Sequence, residues 1–218
     1  MQTINDVESF LQKKEDVSTH LNKEKDKFDD LQKMLSREEK IYSEVARNIL
    51  GKLDGQNLFL CDPVNAMDVM VSIARRIVEN EVTPVIILTT MNYRAAQKVL
   101  EKAGIVEKVF LIDTISKSIS LVSDKERVWF VDSLRNLTQL QIKIIKLIKS
   151  GEKVSFVFDA LNMLELYHSE PIILKFTYSI SKLLKKYKLA GYYSITKKLI
   201  VPKLSQFFDN LVEIKKIE

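Results

Sequence analysis

Five aspartates could do chemistry if the fold gathered them: Asp62, Asp68, Asp113, Asp132 and Asp159 lie near the ends of short apolar runs. Brought together, such carboxylates make an all-oxygen cation site. Kept apart, each caps a turn through neighbouring backbone amides. The other reactive residue types are sparse. The chain holds one cysteine and two histidines, Cys61, His20 and His168, without the spacing of a zinc site. Cys61 closes an apolar run beside Asp62, which suits a buried structural thiol better than a nucleophile. No G-x-S-x-G elbow and no G-x-G-x-x-G loop occurs. No catalytic residue, resident metal or cofactor is therefore expected.

The elements that would carry these residues are regular. Five glycines and four prolines in 218 residues disfavour a turn-rich all-β fold. From residue 52 onward, short apolar runs alternate with helical stretches, the pattern of a parallel sheet covered by helices. Strands are predicted at 57–61, 84–89, 109–112, 127–131, 154–158, 191–195 and 211–215, the last at a sheet edge because it is charged and terminal. Helices are predicted at 66–80, 93–103, 138–149 and 171–189. Ser169-Glu170-Pro171 supplies the start signal of the last helix: a capping hydroxyl, a first-turn acid and a proline.

Residues 4–50 contain neither glycine nor proline. Their apolar residues include Val7, Phe10, Leu11, Val17, Leu21, Phe28, Leu31, Leu35, Tyr42, Val45 and Ile49, at steps that sum threes and fours. This is a heptad seam on an otherwise charged helix. A helix of that length has no core of its own, so Phe10, Val17, Leu21, Phe28, Leu31, Leu35 and Tyr42 are expected to pair with a second copy. The alternative is a hairpin folded back on its own domain. The division expected is 1–51, a coiled-coil dimerisation helix, and 52–218, an α/β domain.

The order of elements after the helix resembles the RecA/KaiC family of P-loop ATPases, of the archaeal type. The resemblance spans about 55–218. Where that family has G-x-x-x-x-G-K-[ST], this chain reads Asp62-Pro63-Val64-Asn65-Ala66-Met67-Asp68-Val69. The family's loop wraps phosphates with backbone amides, reaches them with its lysine and holds Mg²⁺ with its hydroxyl. Here the lysine position is Asp68 and the hydroxyl position Val69, and Asp62 and Asn65 share the loop. Val128-Trp129-Phe130-Val131-Asp132-Ser133 is similar to the Walker B strand with its Asp-Ser pair; alternatively, Asp132 caps the next turn, as is expected where the loop lysine and hydroxyl are absent. The Tyr192–Thr196 and Phe207–Ile214 segments are similar to the family's closing strands. After the second strand, Thr89–Arg94 holds no acid where the family keeps its water-activating glutamate. The resemblance thus implies a RecA-like sheet of about seven strands with helices on both faces, and a pseudo-ATPase that has lost its phosphate loop.

The partner classes follow from charge. Residues 1–50 hold nine basic and eleven acidic residues, and the remainder 25 and 18, a balance of +7. A basic domain attracts nucleic acid or anionic surfaces, although lysine-rich solvated helices produce the same balance. Trp129, Tyr192 and Tyr193 fall inside predicted strands, which favours core packing over base stacking. The expectation is a non-catalytic regulatory or scaffold protein, a homodimer that binds a protein partner. A nucleic-acid-associated protein, or a nucleotide or small-ligand sensor without hydrolysis, is the alternative. No apolar run is long enough to cross a bilayer and the first residues do not form a signal peptide, so a cytoplasmic protein without membrane insertion is expected.

Overall fold

The computed structural model describes residues 37–49, 55–196 and 201–214. The chain divides into two compact units, Met1–Lys40 and Ile41–Glu218. Seven parallel strands build the second unit: β1 (Gln56–Cys61), β2 (Thr83–Leu88), β3 (Phe110–Asp113), β4 (Val128–Phe130), β5 (Val154–Phe158), β6 (Gly191–Ile195) and β7 (Asn210–Ile214). Their order across the sheet is β4-β3-β2-β5-β6-β1-β7. The chain therefore runs outward from β2 to β4, returns to place β5 and β6 between β2 and β1, and ends with β7 at the edge.

β1, β5 and β6 are buried at every position, as expected for strands covered on both faces. Alternate residues serve opposite cores. Leu58 and Leu60 of β1 join Phe156, Phe158, Tyr193 and Ile195 on one side. Phe59 and Cys61 join Val157 and Tyr192 on the other. Helices α4 (Leu137–Lys149), α5 (Glu170–Lys186) and α6 (Val201–Leu204) cover the first side through Leu140, Ile144, Ile173, Phe176, Ile180 and Leu204. Helices α2 (Ala66–Glu79) and α3 (Tyr93–Lys102) cover the second through Val69, Ile73, Ile77, Ala96 and Leu100.

Helix α1 (Arg37–Ile49) changes the expected division. Ile41 and Val45 are fully buried in the core beneath α2, so the α/β unit begins at Ile41 and not near residue 52. Tyr42 is likewise occupied. Its hydroxyl donates to both carboxylate oxygens of Glu79, at 2.5 and 2.6 Å, and the Arg75 guanidinium lies 4.5 Å from its ring centre. Tyr42 thus holds α1 onto α2, in place of the dimer seam expected of it. The other seam residues, Phe10, Val17, Leu21, Phe28, Leu31 and Leu35, lie outside the described residues. Ser169 stands at the N-cap of α5 with Pro171 in the first turn, but its hydroxyl makes no capping bond.

Candidate functional site: the carboxyl edge of the sheet

Ligands of open parallel sheets bind outside the carboxyl ends of the strands, where the strand order reverses. Here that is the edge formed by the loops after β1, β2, β5 and β6. Side chains of the loops after β1 and β5 accept donors from within this edge.

The loop after β1 is a tight turn. The Asn65 amide donates to the Asp62 carbonyl at 2.9 Å, the Val64 amide to Asp62 Oδ1 at 2.9 Å, the Ala66 amide to the Pro63 carbonyl at 3.4 Å, and the Val69 amide to the Asn65 carbonyl at 2.9 Å. These four amides are bonded within the turn and the first turn of the helix that follows it. Asp68 sits in the first turn of α2, where a carboxylate suits the helix dipole. Val69 is buried in the core beneath the helix and faces away from any ligand.

β2 and β5 are locked together by Asp159. Its Oδ1 accepts the Thr89 amide at 2.9 Å and the Thr89 hydroxyl; its Oδ2 accepts the Thr90 amide at 3.0 Å and the Thr90 hydroxyl at 2.7 Å. The carboxyl is almost fully buried, and that burial pushes its pKa above the usual carboxylate range despite four donors. Asp113 repeats the device at the end of β3. It accepts the amides of Tyr93, Ile115 and Ser116 at 2.7–2.8 Å and the Ser116 hydroxyl at 2.5 Å, which fixes the start of α3. At the end of β6 the Thr196 amide donates to Asn162 Oδ1 at 3.0 Å.

Asp132 does not belong to this edge. β4 is five inter-strand steps from β1, about 24 Å at the usual ~4.8 Å spacing. A magnesium ion shared between a β1-loop hydroxyl and a strand-ending aspartate sits about 2.1 Å from each oxygen, so Asp132 cannot serve that role. It also does not cap its turn by a side-chain bond. It is exposed and paired with Lys117 at 2.7 Å, which holds its carboxyl below the usual range, while Ser133 Oγ accepts the Arg135 amide at 3.2 Å. The strand-ending acid within reach of the β1 loop is Asp159, two steps away. The sequence carried this signal in the run Val154–Phe158 followed by Asp159. The strand order, which the sequence does not state, decides between the two.

The five aspartates thus do not converge, and no group of three or more metal-ligating side chains occurs among the described residues. Cys61 is buried, and its thiol is pushed up to about 12 by burial and then by Asp62. An open cavity of about 180 Å³ lies between the start of α3 and the loop after β3, lined by Asn92, Tyr93, Arg94, Ser116, Ile119, Ser120 and Val122. Asn92 Oδ1 caps α3 by accepting the Ala95 amide at 3.0 Å. The Tyr93 hydroxyl accepts from Arg94 and Lys125 at 3.2 and 3.1 Å, which lowers its pKa.

Comparison with known proteins agrees with this architecture. No protein family and no curated protein matches the chain by sequence. In structure it is similar to the uncharacterised protein PH0321 from Pyrococcus horikoshii, solved in complex with an unknown peptide. The TM-score is 0.60 with 11% identity, over 79% of this chain and 82% of that one. It is also similar to the KaiC-like protein PH0186 from the same archaeon, with a TM-score of 0.50 and 11% identity over 75% and 74%. The fold is therefore RecA/KaiC-like. Among the described residues, no helix is long and apolar enough to cross a membrane.

Proposed function

We propose that the chain is a pseudo-ATPase: a RecA/KaiC-like domain that does not hydrolyse nucleotide, self-associates through its N-terminal segment and acts as a regulatory or scaffold protein on a protein partner. The observation that carries this reading is the state of the carboxyl edge. The amides of Val64, Asn65, Ala66 and Val69 are bonded within the β1 loop, and Asp159 is buried under four threonine donors. Binding a triphosphate there would require breaking the turn, and Asp62 and Asp68 would repel the ligand's charge. The resemblance to PH0321, which was solved with a peptide bound, supports a protein or peptide as partner.

The experiment is a thermal-shift and turnover assay on the full chain with ATP and Mg²⁺. The expected result is no rise in Tm at millimolar nucleotide and no phosphate release. A ligand that binds the folded state at a hundred times its Kd adds about 2.7 kcal/mol, so real binding would be plain. A Tm rise without turnover would establish a nucleotide sensor instead. Turnover lost in Asp159→Ala, with folding retained, would overturn the reading.

A further inference from the structure

The two sides of the sheet differ in charge. Helices α4, α5 and α6 carry eight lysines, no arginine and one carboxylate, Glu170. On the other side α2 balances Arg75 and Arg76 with Asp68 and Glu79, and α3 sets Arg94, Lys98 and Lys102 against Glu101, a smaller excess. Lys143, Lys185 and Lys203 are paired with Asp124, Asp209 and Glu170. Lys146, Lys149, Lys175, Lys182 and Lys186 are exposed, and no carboxylate of the described residues pairs with them.

These lysines share their face with apolar side chains. The outward positions of α5 read Ile172, Lys175, Tyr178, Lys182 and Lys185, at steps of three and four, and so form one stripe. Ile142, Lys146 and Lys149 do the same on α4. Ile142 is 49% exposed, and Ile172 and Tyr178 are each 48% exposed. Both helices bury their inner sides in one core, so both stripes lie on the same side of the sheet.

We propose that this α4–α5 face is a peripheral docking surface for an anionic lipid membrane. Charge complementarity calls for an anionic occupant, and three features select lipid over nucleic acid. The cations are all lysines, point charges suited to the diffuse charge of headgroups, whereas phosphate and base forks favour arginine. The half-exposed Tyr178 ring is already engaged by Phe207 at 5.5 Å and by Lys182 Nζ at 5.6 Å, contacts that compete with base stacking. Ile142 and Ile172 have no part in reading bases, but they suit shallow burial at the acyl boundary while lysine heads stay among the headgroups. The protein adsorbs and does not insert. This inference rests on a different face from the pseudo-ATPase reading and is independent of it.

The test is sedimentation of the full chain with phosphatidylcholine vesicles, with and without phosphatidylserine, at low and raised salt. The chain is expected to pellet with the anionic vesicles only, and less as salt shortens the screening length. The triple variant K146E/K175E/K182E is expected to weaken binding roughly a hundredfold, at about 1 kcal/mol per lysine. K98E/K102E on α3, across the sheet, is expected to leave binding unchanged. Unaltered melting of both variants guards against unfolding, and I142S/I172S, with every charge kept, is expected to bind more weakly. No pelleting with anionic vesicles, equal pelleting with neutral ones, or pelleting unchanged in the triple variant overturns the proposal. So does capture of single-stranded DNA without capture of vesicles.

Discussion

At the scale of residues, Asp62, Asp113, Asp132 and Asp159 each serve the backbone or an ion pair, and Asp159 shows why. Two backbone amides and two hydroxyls converge on one buried carboxyl. Removing it orphans those donors, at about 1–3 kcal/mol each for the ones left buried. Asp159→Ala is therefore expected to cost several kcal/mol in urea unfolding. Burial raises the folded pKa above the unfolded value, near 3.9. The stability this group contributes is then fully present below about pH 4 and is lost as pH rises through the folded pKa. Asp159→Asn should remove that decline, so pH–stability curves of variant and parent should diverge above about pH 4; parallel curves would count against the assignment. Cys61 makes a second prediction. With its thiol at about 12 and buried, it should not react with a disulfide reagent at neutral pH until urea unfolds the sheet.

At the scale of elements, α1 is the informative case. Its heptad pattern reads as part of a continuous seam, yet Ile41 and Val45 face the sheet's core and Tyr42 grips Glu79. Periodicity fixes which face of a helix is apolar but not what covers it. Ile41→Ala is expected to destabilise the α/β unit by about 2–5 kcal/mol, as large-to-small core changes do. If α1 only bridged two copies, the loss would depend on protein concentration. The strands were far easier to read. Runs such as Val154–Phe158 and Gly191–Ile195 are apolar on both faces, and a doubly covered parallel strand leaves that pattern wherever it lies in the sheet.

At the scale of the whole molecule, the chain combines a carboxyl edge bonded from within and a helical face rich in lysines that pair with no carboxylate of the described residues. The self-association proposed for the N-terminal segment is tested here too. Leu21→Lys with Leu31→Lys should convert a dimer to a monomer in light scattering while the α/β unit melts unchanged, since a charge in a heptad seam costs association.

The sequence by itself determined the parallel α/β class, the edge position of β7, the burial of Cys61 and the residues that fill the β1 loop, because all of these follow from local pattern and composition. Only the tertiary structure decided which aspartate lies near that loop. Asp132 and Asp159 end strands of the same kind in the sequence. They part because β5 and β6 insert between β2 and β1 while β4 is carried to the far edge, and strand order is a long-range choice that no short window of residues encodes. The lysine face has the same origin. The charges of α4 and α5 are visible one by one, but that they share one side of the sheet follows only from the packing of both helices on the same core.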